Sequence, residues 1–442
     1  MKKYIFFVVG VMCTLLSHTA YAIDLNKSDA NIIGHVLEKK TGEHLPYMTV
    51  ALKGTTIGTM TDGTGHYFLK NLPEGEFILS VSAVGYKPQE RKVTLKRGKT
   101  LEENFELEED MVALDGVVVT ANRNETARRL APTLVKVVTP KLFDMTNSHT
   151  LSQGLVFQPG VRVENDCQNC GYSQVRINGM DGKYTQILID SRPIFSALAG
   201  VYGLEQIPAN MIERVEVVRG GGSALFGSSA IAGTVNIITK EPLRNSGSFA
   251  HSISNFDGSG SFDNNTTLNL SLVSSDNKMG AYIYGQNRHR SAWDSNGDSF
   301  SELPKLKNQT VGVNAYYRLS PYSELNLEYH HMEEFRRGGN RFDLPPHIAE
   351  DANLNGSGEP GLVEQIEHSI NTGGLKFSAF SKDQKHAFNA YASAQHIVRD
   401  SYYSAYGHTT DFTGVLGAQY IYHFDKLFFM PSDLTGGVEF NH

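Results

Sequence analysis

Three short stretches carry residue types that could do chemistry. The first, Gly222-Ser-Ala-Leu-Phe-Gly227-Ser-Ser, has the glycine spacing of a phosphate-cradling loop. Such a loop needs a lysine before its Ser/Thr, because that ammonium reaches the β- and γ-phosphates. Ser228 stands in that place, so the key charge is missing. The second is Cys167-Gln-Asn-Cys170. Two thiols supply half of a tetrahedral zinc site, and no histidine lies close in sequence. A redox pair of this spacing wants a helix N-terminus in a βαβ setting. The third is His35-x-x-Glu38. On a strand, residues three apart point to opposite faces, so one ion cannot take both, and no third ligand is evident. Neither a Gly-x-Ser-x-Gly elbow nor a His-Glu-x-x-His pair occurs, so the chain does not read as an enzyme.

The chemistry therefore lies in what the elements position. The 442 residues carry 40 Lys+Arg against 47 Asp+Glu, a formal charge of −7, with no basic block. Nucleic acid would need a concentrated cationic face. Lys2 and Lys3, the apolar run from Tyr4 to Leu16, and Ala20-Tyr21-Ala22 form an export signal over residues 1–22, cleaved after Ala22. Cys13 leaves with it. No later run of about 20 apolar residues exists. The exported chain is soluble, or it crosses a membrane as a β-barrel. Export also places Cys167 and Cys170 in an oxidising space, where a disulfide stiffening a loop is expected. So short a ring adds little by loop entropy.

Residues 31–107 alternate with period two: Met48, Val50 and Leu52, then Phe77, Leu79, Val81 and Ala83, with turns at Asp62-Gly63 and Glu74-Gly75. This predicts a small β-sandwich. Its pattern resembles the carboxypeptidase-regulatory-like domain, read as a binding or spacer module. Residues 108–128 form a linker holding the β-prone DGVVVTANR, either a further sandwich strand or one kept for a partner to pair with. Residues 129–241 read as a compact α/β domain. It has a short helix over 148–156 and strands at 173–177, 186–190, 212–218 and 233–239. From 242 to 442 apolar and polar residues alternate strand after strand, as in Leu268, Leu270, Leu272 and Val311, Val313, Ala315, Tyr317. Short turns near 274–279, 320–324 and 381–386 interleave with long loops near 288–308, 333–364 and 399–410. That asymmetry is the mark of an outer-membrane barrel, apolar side chains to lipid and polar ones to the lumen.

Together these parts resemble the TonB-dependent outer-membrane receptors. DGVVVTA resembles a TonB box: Asp115, Gly116, Val117, Val118, Val119, Thr120 and Ala121. LSQGLVFQPGVRV, QVRINGM, QILIDSRPI and IPANMIERVEVVRGGGSALFGSSAIAGTVNIITK resemble successive pieces of a plug, with Ser191 where the family usually has Gly. The expected fold is mainly β: an N-terminal β-sandwich, an α/β plug domain, then an incomplete antiparallel transmembrane β-barrel. The resemblance makes Gly220, Gly221, Gly222, Gly227 and Gly233 structural and puts Arg219 and Glu216 in plug-to-wall contacts. It implies uptake driven by TonB, which pairs with the box as an added strand, and requires no cofactor. The solute would be an iron chelate such as a ferric siderophore, cobalamin, or a glycan. Plug apices and outer loops would meet it: Met180, Asp181, Lys183, Tyr184, Phe195 and Tyr202, with Arg336, Arg337 and Arg341 suited to an anion. About nine barrel strands are expected where plugged transporters have about 22. The chain is thus expected to be part of a longer receptor, its sheet open at both edges. A non-transporting surface binding protein is the competing class, against which the plug motif and strand alternation speak.

Overall fold

The computed structural model describes residues 30–109, 117–118, 120, 126–127, 135–167, 172–192 and 207–442, apart from positions 47, 63, 84, 85, 228, 355, 357, 384 and 429. The expected export signal lies outside the described residues.

The first alternating region builds β1 (Ala30–Glu38), β2 (Thr49–Leu52), β3 (Gly58–Met60), β4 (His66–Leu72), β5 (Gly75–Ser82), β6 (Gln89–Leu95), β7 (Thr100–Glu102) and β8 (Phe105–Leu107). One sheet runs β4-β1-β7, with β8 also on β1; the other runs β3-β2-β5-β6. Period two gives each sheet one apolar face, and the two faces close on each other. Val50, Leu52, Leu79 and Val81 meet Ile32, Val36, Leu69, Phe105 and Leu107 between them. Each such side chain contributes about 1.5–3 kcal/mol on full burial.

The linker strand does not extend the sandwich. Instead β9 (Val117–Val118) pairs with β10 (Thr126–Ala127). The plug follows: β11 (Val135–Val138), α1 (Pro140–Met145), α2 (Leu151–Leu155), β12 (Val161–Cys167), β13 (Tyr172–Ile177), β14 (Thr185–Ile189), β15 (Ile212–Arg219), α3 (Ser223–Phe226) and β16 (Gly233–Thr239). Its sheet runs β11-β15-β16-β14, and β12-β13 form a separate hairpin. The expected helix is α2, and Leu151 and Leu155 are its buried residues, along with Ser152 and Gly154. Gly154 is there because α1 comes close: a Cβ would sit 2.3 Å from the Phe143 ring.

Nine antiparallel strands in chain order follow, β17 (Ser246–Asn255), β18 (Phe262–Val273), β19 (Met279–Arg290), β20 (Lys305–Ser320), β21 (Ser323–Gly339), β22 (Val363–Phe380), β23 (His386–Tyr403), β24 (Tyr406–Leu427) and β25 (Met430–Asn441). Cross-strand register puts Leu270, Ile283, Val313, Tyr329, Gly373, Ala394 and Gly414 on one row. This outer face bears the exposed apolar residues Leu268, Leu272, Val311, Leu319, Leu327, Leu375, Phe388 and Leu416. The other face is polar and meets the plug. The sandwich rests on the short turn between β20 and β21: Thr56 donates its N–H to the Pro321 carbonyl (3.0 Å), and Tyr322 packs on the sandwich core.

One loop expectation is corrected. No long loop spans 399–410; β23 and β24 are joined by Ser404 and Ala405 alone. The strands continue because Tyr402 and Tyr406 pack edge to face (4.8 Å), and Ser404 turns the chain at φ 56°. The other two expected long connections are present, residues 291–304 and residues 340–362, the latter folded over by the short helix α4 (Pro346–Glu350).

Candidate functional site

At the middle of the plug sheet, β15 and β16 place Glu216 opposite Asn236, and both are fully buried. A carboxylate and an amide amid valines and isoleucines need partners, since a buried unpaired charge is very costly. The linker supplies one. Thr120, itself buried, donates its N–H (2.8 Å) and its hydroxyl (2.6 Å) to Glu216 Oε2. Asn236 Nδ2 donates to Thr120 Oγ1 (3.0 Å), and Arg214 Nε to Glu216 Oε1 (2.9 Å). A residue of the linker is thus held against the plug sheet.

The same amide reaches the turn after β14. Asp190 and Ser191 have φ of 46° and 66°, and Ile189 and Arg192 exchange two backbone hydrogen bonds across them. This two-residue turn needs left-handed backbone at both centres, which normally favours Gly. Ser191 is compensated: its N–H donates to Asn236 Oδ1 (2.9 Å), and its hydroxyl accepts from Asn236 Nδ2 (3.0 Å). Asp190 is anchored by the N–H (3.0 Å) and hydroxyl (2.7 Å) of Thr239. The next residue, Arg192, is buried and pairs with Glu328 on β21 of the barrel wall. Burial alone would lower the Arg192 pKa, but the Glu328 and Asp190 carboxylates hold it above its usual value. A continuous polar chain therefore runs from Thr120 through Asn236, Ser191 and Arg192 to Glu328.

Further contacts seat the plug. Asn210 Nδ2 donates to Asn269 Oδ1 (2.9 Å), and the Tyr282 hydroxyl donates to the Asn210 carbonyl (2.9 Å). His149 Nε2 lies 3.2 Å from Ser252 Oγ, and burial, then the charge of Arg288, pushes its pKa down.

Glu216 is corrected by this geometry. It was expected in a plug-to-wall contact; the partners described for it are Thr120 and Arg214, while Arg192 makes a contact with the wall. The guanidinium of Arg219 lies over Gly160 instead. Of the five expected structural glycines, Gly227 needs its φ of 91°, and a Cβ on Gly233 would meet the Val218 carbonyl at 2.4 Å. At Gly221 a Cβ would meet nothing, so no close packing requires a glycine there.

The expected solute residues separate into groups. Met180 and Asp181 sit on the turn after β13; Asp181 lies 3.7 Å from Lys183, whose ammonium is 5.1 Å from the Tyr184 ring centre. Arg336 is buried on the plug-facing side of β21, 3.2 Å from Glu334. Arg337 and Arg341 brace the 340–362 loop: Arg337 donates to the Leu344 and Arg341 carbonyls (2.7 and 2.9 Å), and Arg341 to the Glu359 carbonyl (2.9 Å). Phe195, Tyr202 and Cys170 lie outside the described residues, as do the side chain of Cys167 and the expected box positions Asp115, Gly116, Val119 and Ala121.

Comparison with known proteins agrees with this architecture. Residues 32–119 match the CarboxypepD_reg-like domain and residues 127–234 the TonB-dependent Receptor Plug Domain. The vitamin B12 transporter BtuB of Vibrio vulnificus strain YJ016 is 32% identical over 229 residues, 45% of this chain and 37% of that protein. BtuB of Photobacterium profundum is 37% identical over 128 residues, 28% of this chain and 20% of that protein. Among solved structures, the siderophore receptor PirA from Acinetobacter baumannii superposes with a TM-score of 0.58 at 20% identity, over 71% of this chain and 48% of that one. The plug segment thus matches that of the TonB-dependent receptors, and the plug with its antiparallel sheet shares the fold of a solved outer-membrane receptor of that kind. The chain spans 37% of the first of these relatives and 48% of the solved receptor.

Proposed function

We propose that this receptor takes a scarce, large solute across the outer membrane, a ferric siderophore or a cobalamin, with energy drawn from TonB through residues 115–121. The observation that carries the proposal is the burial of Thr120 against Glu216 and Asn236, with that network tied to the wall at Arg192–Glu328. A plug seated this way blocks passive flow. Force applied at the linker is applied to the group that links β15, β16 and the Asp190-Ser191 turn. The polar inner face of the sheet suits a hydrophilic chelate. Similarity to the B12 transporters favours cobalamin as the first solute to try. The test is accumulation of labelled cyanocobalamin and of a ferric catecholate by energised cells carrying the full-length receptor. Uptake of either, lost on TonB deletion, is expected. Accumulation of neither, with the receptor present at the surface, contradicts the solute class.

A further inference from the structure

His35, excluded from sharing an ion with Glu38, has two other neighbours. Antiparallel register sets His35 of β1 opposite His66 of β4. After the tight turn at 39–43, His44 returns beside β1, bridged to Leu37. Gly65 permits that return, since a Cβ there would lie 2.8 Å from the His44 Cβ. The three rings form one cluster on the outward face of the sandwich, with centres 5.3 Å (35–44), 5.7 Å (35–66) and 4.9 Å (44–66) apart. With Zn–N bonds of about 2.0–2.1 Å, imidazoles arranged tetrahedrally round one ion have centres about 5 Å apart. The ring centres are thus spaced for one ion, while the three sets of ring nitrogens do not yet converge within 4.8 Å.

A second observation concerns the proton. Thr64 donates its hydroxyl to Asp62 Oδ1 (2.7 Å), so its oxygen accepts from His66 Nδ1–H (3.1 Å). That hydrogen bond fixes the tautomer and leaves His66 Nε2 as a bare lone pair. Metal-bound histidines use such a partner on their other nitrogen to hold the ring and raise its basicity. Asp62 Oδ1 also accepts from the backbone N–H of Thr64 (2.8 Å) and of His66 (3.0 Å), which holds the Thr64 hydroxyl in place.

We propose that His35, His44 and His66 form a site for one divalent transition-metal ion, on the outer face of the sandwich and apart from the plug. Three neutral nitrogens favour zinc, copper or nickel over calcium or magnesium, which take oxygen. Among the described residues, the donors already within 4.8 Å of one another are those of Asp294, Asp298 and Glu302. The imidazoles therefore close on the ion by turning about their Cβ–Cγ bonds, which the exposure of His44 and His66 allows. The fourth position stays open to water.

The test is zinc titration of the 442-residue chain in detergent by calorimetry, with cobalt(II) as a visible probe of tetrahedral nitrogen coordination. The wild-type chain is expected to bind one zinc. His44→Gln should weaken binding more than about tenfold; His44 is exposed, so the sandwich core is untouched. Thr64→Val should weaken it about tenfold without abolishing it. Asp298→Asn, in the acidic loop, should change nothing. Unchanged affinity in His44→Gln, or no cobalt spectrum in the wild-type chain, overturns the site.

Discussion

Thr120→Val is the sharpest perturbation of the buried linker threonine, because it keeps shape and removes only the hydroxyl. Two hydrogen bonds go: the one to Glu216 Oε2 (2.6 Å) and the one from Asn236 Nδ2 (3.0 Å). The backbone N–H bond to Glu216 survives. A bond to a charged acceptor is worth about 1.5–3 kcal/mol, and a neutral one about 0.5–1.5 kcal/mol. Asn236 keeps Ser191 as a partner, so it is not orphaned. The sum is about 3 kcal/mol against the docked state. That multiplies the released population about a hundredfold, at about 1.4 kcal/mol per decade. Hydrogen exchange reads it directly: protection of the Thr120 amide should fall about a hundredfold while that of β15 and β16 is retained. Equal protection in the variant and the parent would mean that the hydroxyl does not hold the segment, and the reasoning fails.

Removing Arg192 should leave Glu328 buried and unpaired, at a cost of about 3–5 kcal/mol; a double-mutant cycle of Arg192→Ala with Glu328→Gln should show coupling, and additive losses would dismiss the plug-to-wall link. Gly154→Ala should force α1 from α2 at about 1–3 kcal/mol, read as a lower melting temperature; an unchanged melt refutes the close approach. His149 has a depressed pKa, so its contribution to plug seating is complete above its ordinary value of 6.5 and is lost as pH falls through the depressed one. Seating followed by plug protease resistance should weaken below pH 6.5, and His149→Gln should flatten that dependence. Mass spectrometry of the non-reduced mature protein should find Cys167 joined to Cys170; two free thiols or a stoichiometric metal would exclude the disulfide.

Much of the fold was legible because its signals are local. Period two along Phe77, Leu79 and Val81 places them on one side of a sheet with no other information. The helix at Leu151–Leu155 and the strands at Ile212–Arg219 and Gly233–Thr239 came from spacing and glycine stops. Loop length was less legible. Tyr402 and Tyr406 read as loop residues, but cross-strand packing extended their strands. The centre of the candidate site was not readable, because it is made of pairs distant in sequence. Thr120 meets Glu216 across 96 residues, and Arg192 meets Glu328 across 136. One clue was available: Glu216 and Asn236 are polar residues within otherwise apolar buried runs, and such groups require partners. The histidine cluster was hidden likewise, because His66 joins His35 only through β1–β4 register.

The central claim is that residues 115–121 hand force from TonB to the plug by strand pairing. Proline at Val118 removes a backbone donor and bars a ladder there. In energised cells, the full-length receptor with Val118→Pro should bind its solute at the surface as the parent does and accumulate none. Accumulation at the parental rate would contradict the account.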